Sequence, residues 1–141
     1  MSFSIKEIIT LNQLFGVGSK LLYQVEKLHS ETLLQRLSAC HIFIKENGRS
    51  IPIEQRHISQ AEQQAEWILQ QSHAQNIRLL SYYDDNFPTS LKMITNIKGE
   101  PNHPFLLYYK GDLSALHYPC VAIVGTRQPT VQGKSASFYL A

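Results

Sequence analysis

One short apolar run, Val121 to Val124 followed by Gly125, constrains the fold of this chain more than any other feature. Its mostly β-branched residues are typical of a strand that is buried on both faces. Such a strand requires neighbouring strands and helices that cover both sides of the sheet. We therefore expect residues 76–141 to open an α/β unit with a parallel sheet, of which the sequence contains only the first strands.

The first part of the chain has the apolar spacing of helices. Ser4 and Glu7 fit a capping box, in which each side chain satisfies a free backbone amide of the other residue. Apolar residues at helical spacing follow on both sides of a Gly-Val-Gly turn at residues 16–18, and again over residues 30–40. These patterns predict three helices before residue 41.

Two further helices are predicted before residue 76. A short fourth helix is expected over residues 41–46, closed by Asn47-Gly48, and a longer one from about Ser59 to Ala74. Asn76 is placed to form the left-handed cap of that last helix. Residues 1–75 are therefore predicted to be an all-α module that resembles a helix-hairpin-helix domain.

At residue 77 the pattern changes. Residues 77–82 and 105–109 have the length and apolar content of strands, and a short helix is predicted from Thr89 after Pro88. A loop from Gly125 to Gly133 and the start of another helix complete the chain. The predicted fold class is thus α/β overall, with a helical module followed by the truncated start of a Rossmann-like domain over residues 76–141.

Composition excludes several classes of protein. The chain has 141 residues, of which 43% are hydrophobic and 17% charged, as in soluble globular proteins. No stretch approaches the roughly 18 apolar residues of a membrane helix, and the N-terminus does not resemble a signal peptide. We therefore expect a cytoplasmic protein without a membrane partner. The net charge of +2 neither requires nor excludes a nucleic-acid partner.

The cysteines and histidines do not form a recognisable metal motif. Cys40 and Cys120 are far apart, and in a reducing compartment they are expected to be free thiols. The six histidines never lie three or four residues apart, so no pair shares a helix face as zinc ligands. We expect no metal and no cofactor.

The strand-loop-helix arrangement after Val124 predicts an anion site. Gly125 would let the backbone approach a phosphate, Thr126 adds a hydroxyl, and Arg127 offers a fork of donors that suits phosphate. Gly133 and Lys134 stand at the expected helix start, where Lys134 adds positive charge. The loop is neither Gly-x-Gly-x-x-Gly nor a Walker loop. An ordinary strand-to-helix turn with a surface arginine is therefore an equal alternative.

Three other patterns favour structural roles. The Gly16–Gly18 turn could bring amides to DNA phosphates, but an ordinary helix–helix turn is favoured. The aromatic residues between Tyr82 and Tyr109 could stack on bases, but core packing explains Phe87 and Phe105 better. The acids at 84–85 indicate a turn rather than a catalytic or metal site.

Taken in order, four segments resemble the DNA-processing protein A family (DprA, also called Smf). They are Leu14–Gly18, the region from Tyr83 to Leu91 with its Phe-Pro-x-x-Leu, Pro104–Asp112 with its Leu-Tyr-Tyr-Lys-Gly, and Val121–Arg127 with Thr130 and Gly133 after it. The resemblance is loose before residue 77 and close over residues 104–133. Phe87 and Gln132 stand where the family has tyrosine, and the segment before Pro104 is longer than usual.

The resemblance implies a function that composition does not show. Proteins of this family bind single-stranded DNA, shield it from nucleases and help load the recombinase RecA during natural transformation, with no enzymatic chemistry. It implies a SAM-like helical module, a homodimer, and a positive pocket built partly from Gly125, Thr126 and Arg127. Gly133 is implied to shape the loop, and we add Lys134 for its charge and position.

Two other interpretations stay open at this point. The later part of the family's Rossmann domain is absent from the sequence, so the chain is expected to be a fragment. A nucleotide-binding Rossmann enzyme could use the same strand-Gly-Thr-Arg loop, with its catalytic acids in a missing part. Alternatively, the chain is a truncated remnant without function, in which only the helical module is stable.

Overall fold

A computed structural model describes residues 2–14, 19–26, 32–46, 49–119 and 123–140. The chain divides into two compact units, Met1–Gly111 and Asp112–Ala141. We call them the N-terminal unit and the C-terminal unit. Both helices and short strands occur along the chain, which confirms an α/β content overall.

The N-terminal unit contains five helices and two antiparallel strand pairs among its described residues. Its elements in chain order are α1 (Ile5–Gln13), α2 (Ser19–Glu26), α3 (Leu33–Ala39), β1 (Phe43–Glu46), β2 (Arg49–Pro52), α4 (Gln55–Ala74), β3 (Arg78–Ser81), α5 (Thr89–Lys92) and β4 (Leu106–Tyr109). Strand β1 pairs with β2, and β3 pairs with β4. The C-terminal unit contains a 3₁₀ helix over Leu113–His117 and helix α6 over Val131–Leu140.

Helix α1 begins at the predicted capping box. The Ser4 hydroxyl accepts a hydrogen bond from the Glu7 amide at 3.2 Å, and the Glu7 carboxylate accepts one from the Ser4 amide at 2.8 Å. The helix packs against α4 and buries Ile8, Ile9 and Leu11 completely. The local cap therefore fixes the start of a helix whose apolar face belongs to the core.

The predicted fourth helix over residues 41–46 is wrong, and the segment before residue 76 is not all-α. Ile42 and Ile44 are buried while Phe43 is 56% exposed, so burial alternates with the period of a strand. Strand β1 pairs with β2 in a register that places Glu46 opposite Arg49. The dipeptide between them, Asn47-Gly48, lies outside the described residues.

Helix α4 starts at Gln55, earlier than the predicted Ser59, because its first turn has an unusual cap. The Glu54 amide donates to Nδ1 of the buried His57 at 3.0 Å, and no serine, threonine or aspartate is involved. The helix ends as predicted, since Asn76 is left-handed with a φ of 54°.

Strands β3 and β4 form where predicted, but they are antiparallel. The register pairs Arg78 with Tyr109 and Ser81 with Leu106. The segment between the strands holds the predicted short helix α5 and loops, without the long crossover helix that parallel neighbours need. The expected parallel sheet is therefore absent from the described strands.

The core of the N-terminal unit joins its helices to the segment before β4. Phe105 is 3% exposed and belongs to the same buried cluster as Phe3, Leu11 and Leu37. Tyr82, Tyr83 and Leu106 pack against this cluster from the same part of the chain. Cys40 also packs there as a free thiol, and burial raises the pKa of that thiol.

The C-terminal unit has almost no interior. None of its described residues is buried, and Ile123 and Val124 are outside any strand, with Val124 93% exposed. The prediction of a strand buried on both faces is therefore wrong for these two residues, because the described part of the unit supplies no strand to pair with them. Residues 120–122 lie outside the described residues.

Candidate nucleic-acid interface

The predicted site residues fall on one segment of the C-terminal unit. Gly125, Thr126 and Arg127 lie in irregular backbone before α6, and Gly133 and Lys134 lie within its first turns. All five are exposed. We call the stretch from Gly125 to Lys134 the Gly-Thr-Arg segment. Its backbone is organised by two threonines, Thr126 near its start and Thr130 just before α6.

Thr126 closes the first turn of the Gly-Thr-Arg segment. Its hydroxyl oxygen accepts a hydrogen bond from the Gln128 amide at 3.2 Å, which is the short turn that serine and threonine favour. Arg127 lies inside this turn. The guanidinium is therefore carried by a locally fixed backbone while its own side chain remains in solvent.

Thr130 caps the start of α6. Its hydroxyl oxygen accepts from the Gly133 amide at 3.1 Å, and its carbonyl accepts from the Lys134 amide at 3.0 Å. These two bonds leave the amides of Val131 and Gln132 in the first turn without an acceptor inside the helix. Free amides at a helix N-terminus are the groups that hold anions in many phosphate sites.

Gly133 lies in the first turn of α6, next to the threonine that ends the preceding loop. A Cβ at this position would stand 3.3 Å from the Thr130 hydroxyl oxygen, so glycine leaves room for the cap. At Gly125 a Cβ would meet nothing within 4 Å, and the approach to that backbone is open.

The charge of the segment is positive. Arg127 and Lys134 are the only lysine or arginine residues after Gly111, and Asp112 is the only acid. The Asp112 carboxylate accepts from the Ser114 amide at 2.9 Å and from its hydroxyl at 2.6 Å, at the start of the 3₁₀ helix. Within the described part of the chain, Arg127 and Lys134 form no ion pair. Both cations are therefore available to an anionic ligand.

The aromatic residues of the N-terminal unit are mostly structural. Phe87 and Phe105 are buried, which confirms core packing for both. The Tyr82 ring stacks on His103 with centroids 4.2 Å apart, and the Lys92 ammonium lies 5.1 Å from the Tyr82 centroid. The faces of these rings contact protein neighbours, so they are not free to stack on bases.

Two polar contacts tie this aromatic cluster to helix α2. The Tyr23 hydroxyl donates to the His103 carbonyl at 2.7 Å, and the Tyr83 hydroxyl donates to the Glu26 carboxylate at 2.7 Å. Burial raises the pKa of the Tyr83 phenol, and burial lowers the pKa of His103. His103 gave no signal in the sequence, because its role depends on neighbours that are distant along the chain.

The remaining sequence candidates have simpler explanations or lie outside the described residues. The Asp84 carboxylate accepts from the Ser81 amide at 2.6 Å, so it closes a turn as predicted. Among the residues that the structure describes, no three histidines, cysteines or acids come together as a metal site. The Gly16–Gly18 turn lies outside them. None of the described helices is long and apolar enough to cross a membrane.

The Gly-Thr-Arg segment is thus an exposed, positively charged stretch at a capped helix N-terminus. Residues 78–141 match the family model for DNA recombination-mediator protein A. This match confirms the resemblance to the DNA-processing protein A family over residues 78–141. No curated protein and no solved structure matches the chain. The family indicates a role in DNA processing and recombination.

Proposed function

We propose that this chain is part of a protein that binds single-stranded DNA in recombination and natural transformation. It would shield the strand from nucleases and help load a RecA-type recombinase, without enzymatic chemistry. The observation that carries this proposal is the family match over residues 78–141, which includes the whole Gly-Thr-Arg segment.

The chemistry of the segment suits the backbone of a nucleic acid. Arg127 can hold a phosphate through two parallel N–H bonds, and the free amides at the start of α6 add neutral donors. Lys134 contributes charge one turn further along. None of these groups recognises a base, so binding would follow the strand independently of sequence and weaken as salt rises.

The proposal extends to the organisation of the complete protein. We assign residues 1–75 to a SAM-like module, although it contains the β1–β2 hairpin, and residues 76–141 to the beginning of a Rossmann-like domain. The complete protein would be a homodimer that acts in the cytoplasm, where recombinase and incoming DNA meet. The exposed apolar residues of α6 are consistent with a larger domain that covers them.

Replacing Arg127 by alanine tests the proposal. We expect the variant to bind a fluorescent oligothymidylate several-fold more weakly than the parent chain in an anisotropy titration at moderate salt. Loss of one phosphate contact should also reduce the slope of log affinity against log salt by about 0.7. Arg49→Ala is the matched control, because Arg49 is an exposed arginine on β2 in the other unit.

Equal affinities of the Arg127→Ala variant and the parent chain would contradict the role of Arg127. The nucleotide-enzyme alternative predicts a different result in the same assay. In that case a mononucleotide would bind saturably, and an excess of oligonucleotide would not compete with it. Absence of any binding to oligonucleotide by the parent chain would overturn the proposed function for this part of the protein.

A further inference from the structure

A basic groove lies in the N-terminal unit, at the edge of the β3–β4 pair. The antiparallel register places Arg78, the first residue of β3, opposite Tyr109, the last residue of β4. Residues just before β3 and just after β4 therefore meet at this edge, next to the end of α4. The groove has a volume of about 560 Å³ and is lined by His73, Gln75, Asn76, Ile77, Arg78, Lys110 and Gly111.

The groove carries positive charge from its lining residues. Arg78 and Lys110 are permanent cations, and His73 adds an imidazole that can donate a hydrogen bond. Among the described residues that line the groove, none is acidic. Arg78 and Lys110 are exposed, and neither forms an ion pair with another residue of the described ranges. Two unpaired cations on one concave surface attract an anionic ligand.

Arg78 is held in place without losing its charge. Its guanidinium carbon lies 5.6 Å from the centre of the Tyr109 ring, in a cation–π contact. Stacking on a ring occupies the face of a guanidinium and leaves its N–H edge free for a phosphate. The contact therefore lowers the entropy that Arg78 loses when it binds a ligand.

The backbone at the groove also favours an anion. A helix C-terminus normally presents free carbonyl oxygens, which would repel a phosphate. Here the Ser72 carbonyl accepts from the Ile77 amide at 2.8 Å, and the His73 carbonyl accepts from the Asn76 amide at 3.1 Å. Left-handed Asn76 makes this closure possible, so these carbonyls are already satisfied.

We propose that Arg78, Lys110 and His73 form a second contact site for the phosphate backbone of single-stranded nucleic acid. This inference rests on the proposed function and adds a binding surface in the other unit of the chain. The groove is open, and it offers hydrogen-bond donors rather than an enclosed slot for a base or a nucleoside. A phosphodiester chain that passes along the surface fits these features better than a mononucleotide.

The test is the double substitution Arg78→Gln with Lys110→Gln in the full 141-residue chain. Binding of a fluorescent oligothymidylate longer than one binding site is followed by anisotropy at several salt concentrations. We expect affinity to fall by roughly fivefold or more at moderate salt. The slope of log affinity against log salt should decrease by about 1.4, which is twice the value of about 0.7 per phosphate contact.

Three controls test whether a loss of affinity comes from the charge at the groove, from the net charge of the chain, or from loss of folding. Lys98→Gln removes one exposed lysine from a loop elsewhere in the same unit and should change affinity by less than roughly twofold. The charge-conserving variant Lys110→Arg should bind like the parent chain. Thermal unfolding of the double variant should match that of the parent, because both side chains are exposed.

The outcomes distinguish this inference from the proposed function. If the parent chain binds DNA and Arg127→Ala weakens it, but the double variant binds normally, the groove is not a contact site and the function stands. If Lys98→Gln lowers log affinity by half as much as the double substitution or more, each lost charge has the same effect anywhere in the unit and the inference is also wrong. If the parent chain binds no oligonucleotide at all, the proposed function itself fails.

Discussion

The two units of the chain differ in how far their apolar side chains are buried. In the N-terminal unit, Ile8, Ile9 and Leu37 are completely buried, and helices, hairpin and strand pair share one interior. In the C-terminal unit, Phe138 and Tyr139 of α6 are 87% and 90% exposed. Both units contain a capped helix, but only one gives its helix a core to pack against. Local capping alone therefore does not make a stable unit.

Within the described part of the chain, α6 buries no residue, so its stability rests on its cap and on backbone hydrogen bonds. Isolated helices shorter than about 12 residues are marginal in water, because most helical stability in proteins comes from packing of one face. The Gly-Thr-Arg segment is attached to this helix. We infer that stability and the proposed DNA contacts of Arg127 reside in different units, which the following substitutions examine.

The largest expected effect comes from a cavity in the core. Leu37→Ala should lower the free energy of unfolding by about 2–5 kcal/mol, because it removes buried methyl groups that the neighbours cannot fully replace. Phe138→Ala in α6 should change it by less than about 0.5 kcal/mol. Urea denaturation followed by circular dichroism measures both. Similar losses in the two variants would show that the units do not differ in this way.

A smaller effect should come from removing the two helix caps in turn. Ser4→Ala removes the hydroxyl acceptor at α1 and should cost about 1 kcal/mol in the unfolding transition. Thr130→Ala removes the equivalent acceptor at α6 and should leave the midpoint of that transition unchanged. Loss of a cap hydroxyl should therefore change the unfolding midpoint only where the helix unfolds together with the core. A shifted midpoint in Thr130→Ala would show that α6 also unfolds together with that core.

The smallest expected effect is an acid-sensitive contribution within the N-terminal unit. Burial lowers the pKa of His103 from its ordinary value of 6.5, so the unfolded chain takes up a proton more readily than the folded one. Stability should therefore decrease as the pH falls below 6.5. His103→Phe keeps a ring against Tyr82 and should flatten this part of the pH profile. Thermal unfolding between about pH 5.5 and pH 7.5, a window of about one unit on either side of the ordinary histidine pKa, measures the profile.

The control for this pH prediction is Gln70→Ala, since Gln70 is an exposed residue of α4 whose side chain carries no titratable group. Its profile should remain parallel to that of the parent chain. If both variants flatten the profile equally, or neither does, the acid sensitivity does not originate at His103.

The sequence allowed the features with local causes to be predicted. The Ser4–Glu7 cap, the left-handed Asn76 and the strands near residues 78 and 106 each depend on a few neighbouring residues. The family resemblance over residues 78–141 was also predicted, from several short motifs taken in order, each of them within a single turn or strand. In these cases the information sits within one turn or one strand of the chain.

One error overlooked a local signal, and another arose where distant residues decide the structure. The β1–β2 hairpin did have a local signal, because Asn47-Gly48 is the dipeptide that two-residue hairpins favour and burial alternates on its N-terminal side. The antiparallel pairing of β3 with β4 had none, since nothing within either strand specifies its partner. The basic groove follows directly from that pairing. It could therefore not be found from the spacing of Arg78 and Lys110.

The contacts of the aromatic cluster around His103 cross the position at which the family match begins. The family match starts at Arg78, yet Phe105 and Tyr83 lie against a core made largely by residues before that point. A gene exchange that joined residues 78–141 to a different N-terminal partner would leave Tyr23 and Glu26 behind, together with their hydrogen bonds. The segment that the family model matches and the segment that shares one hydrophobic core therefore have different boundaries. Any exchange at Arg78 must supply a helix that replaces α2.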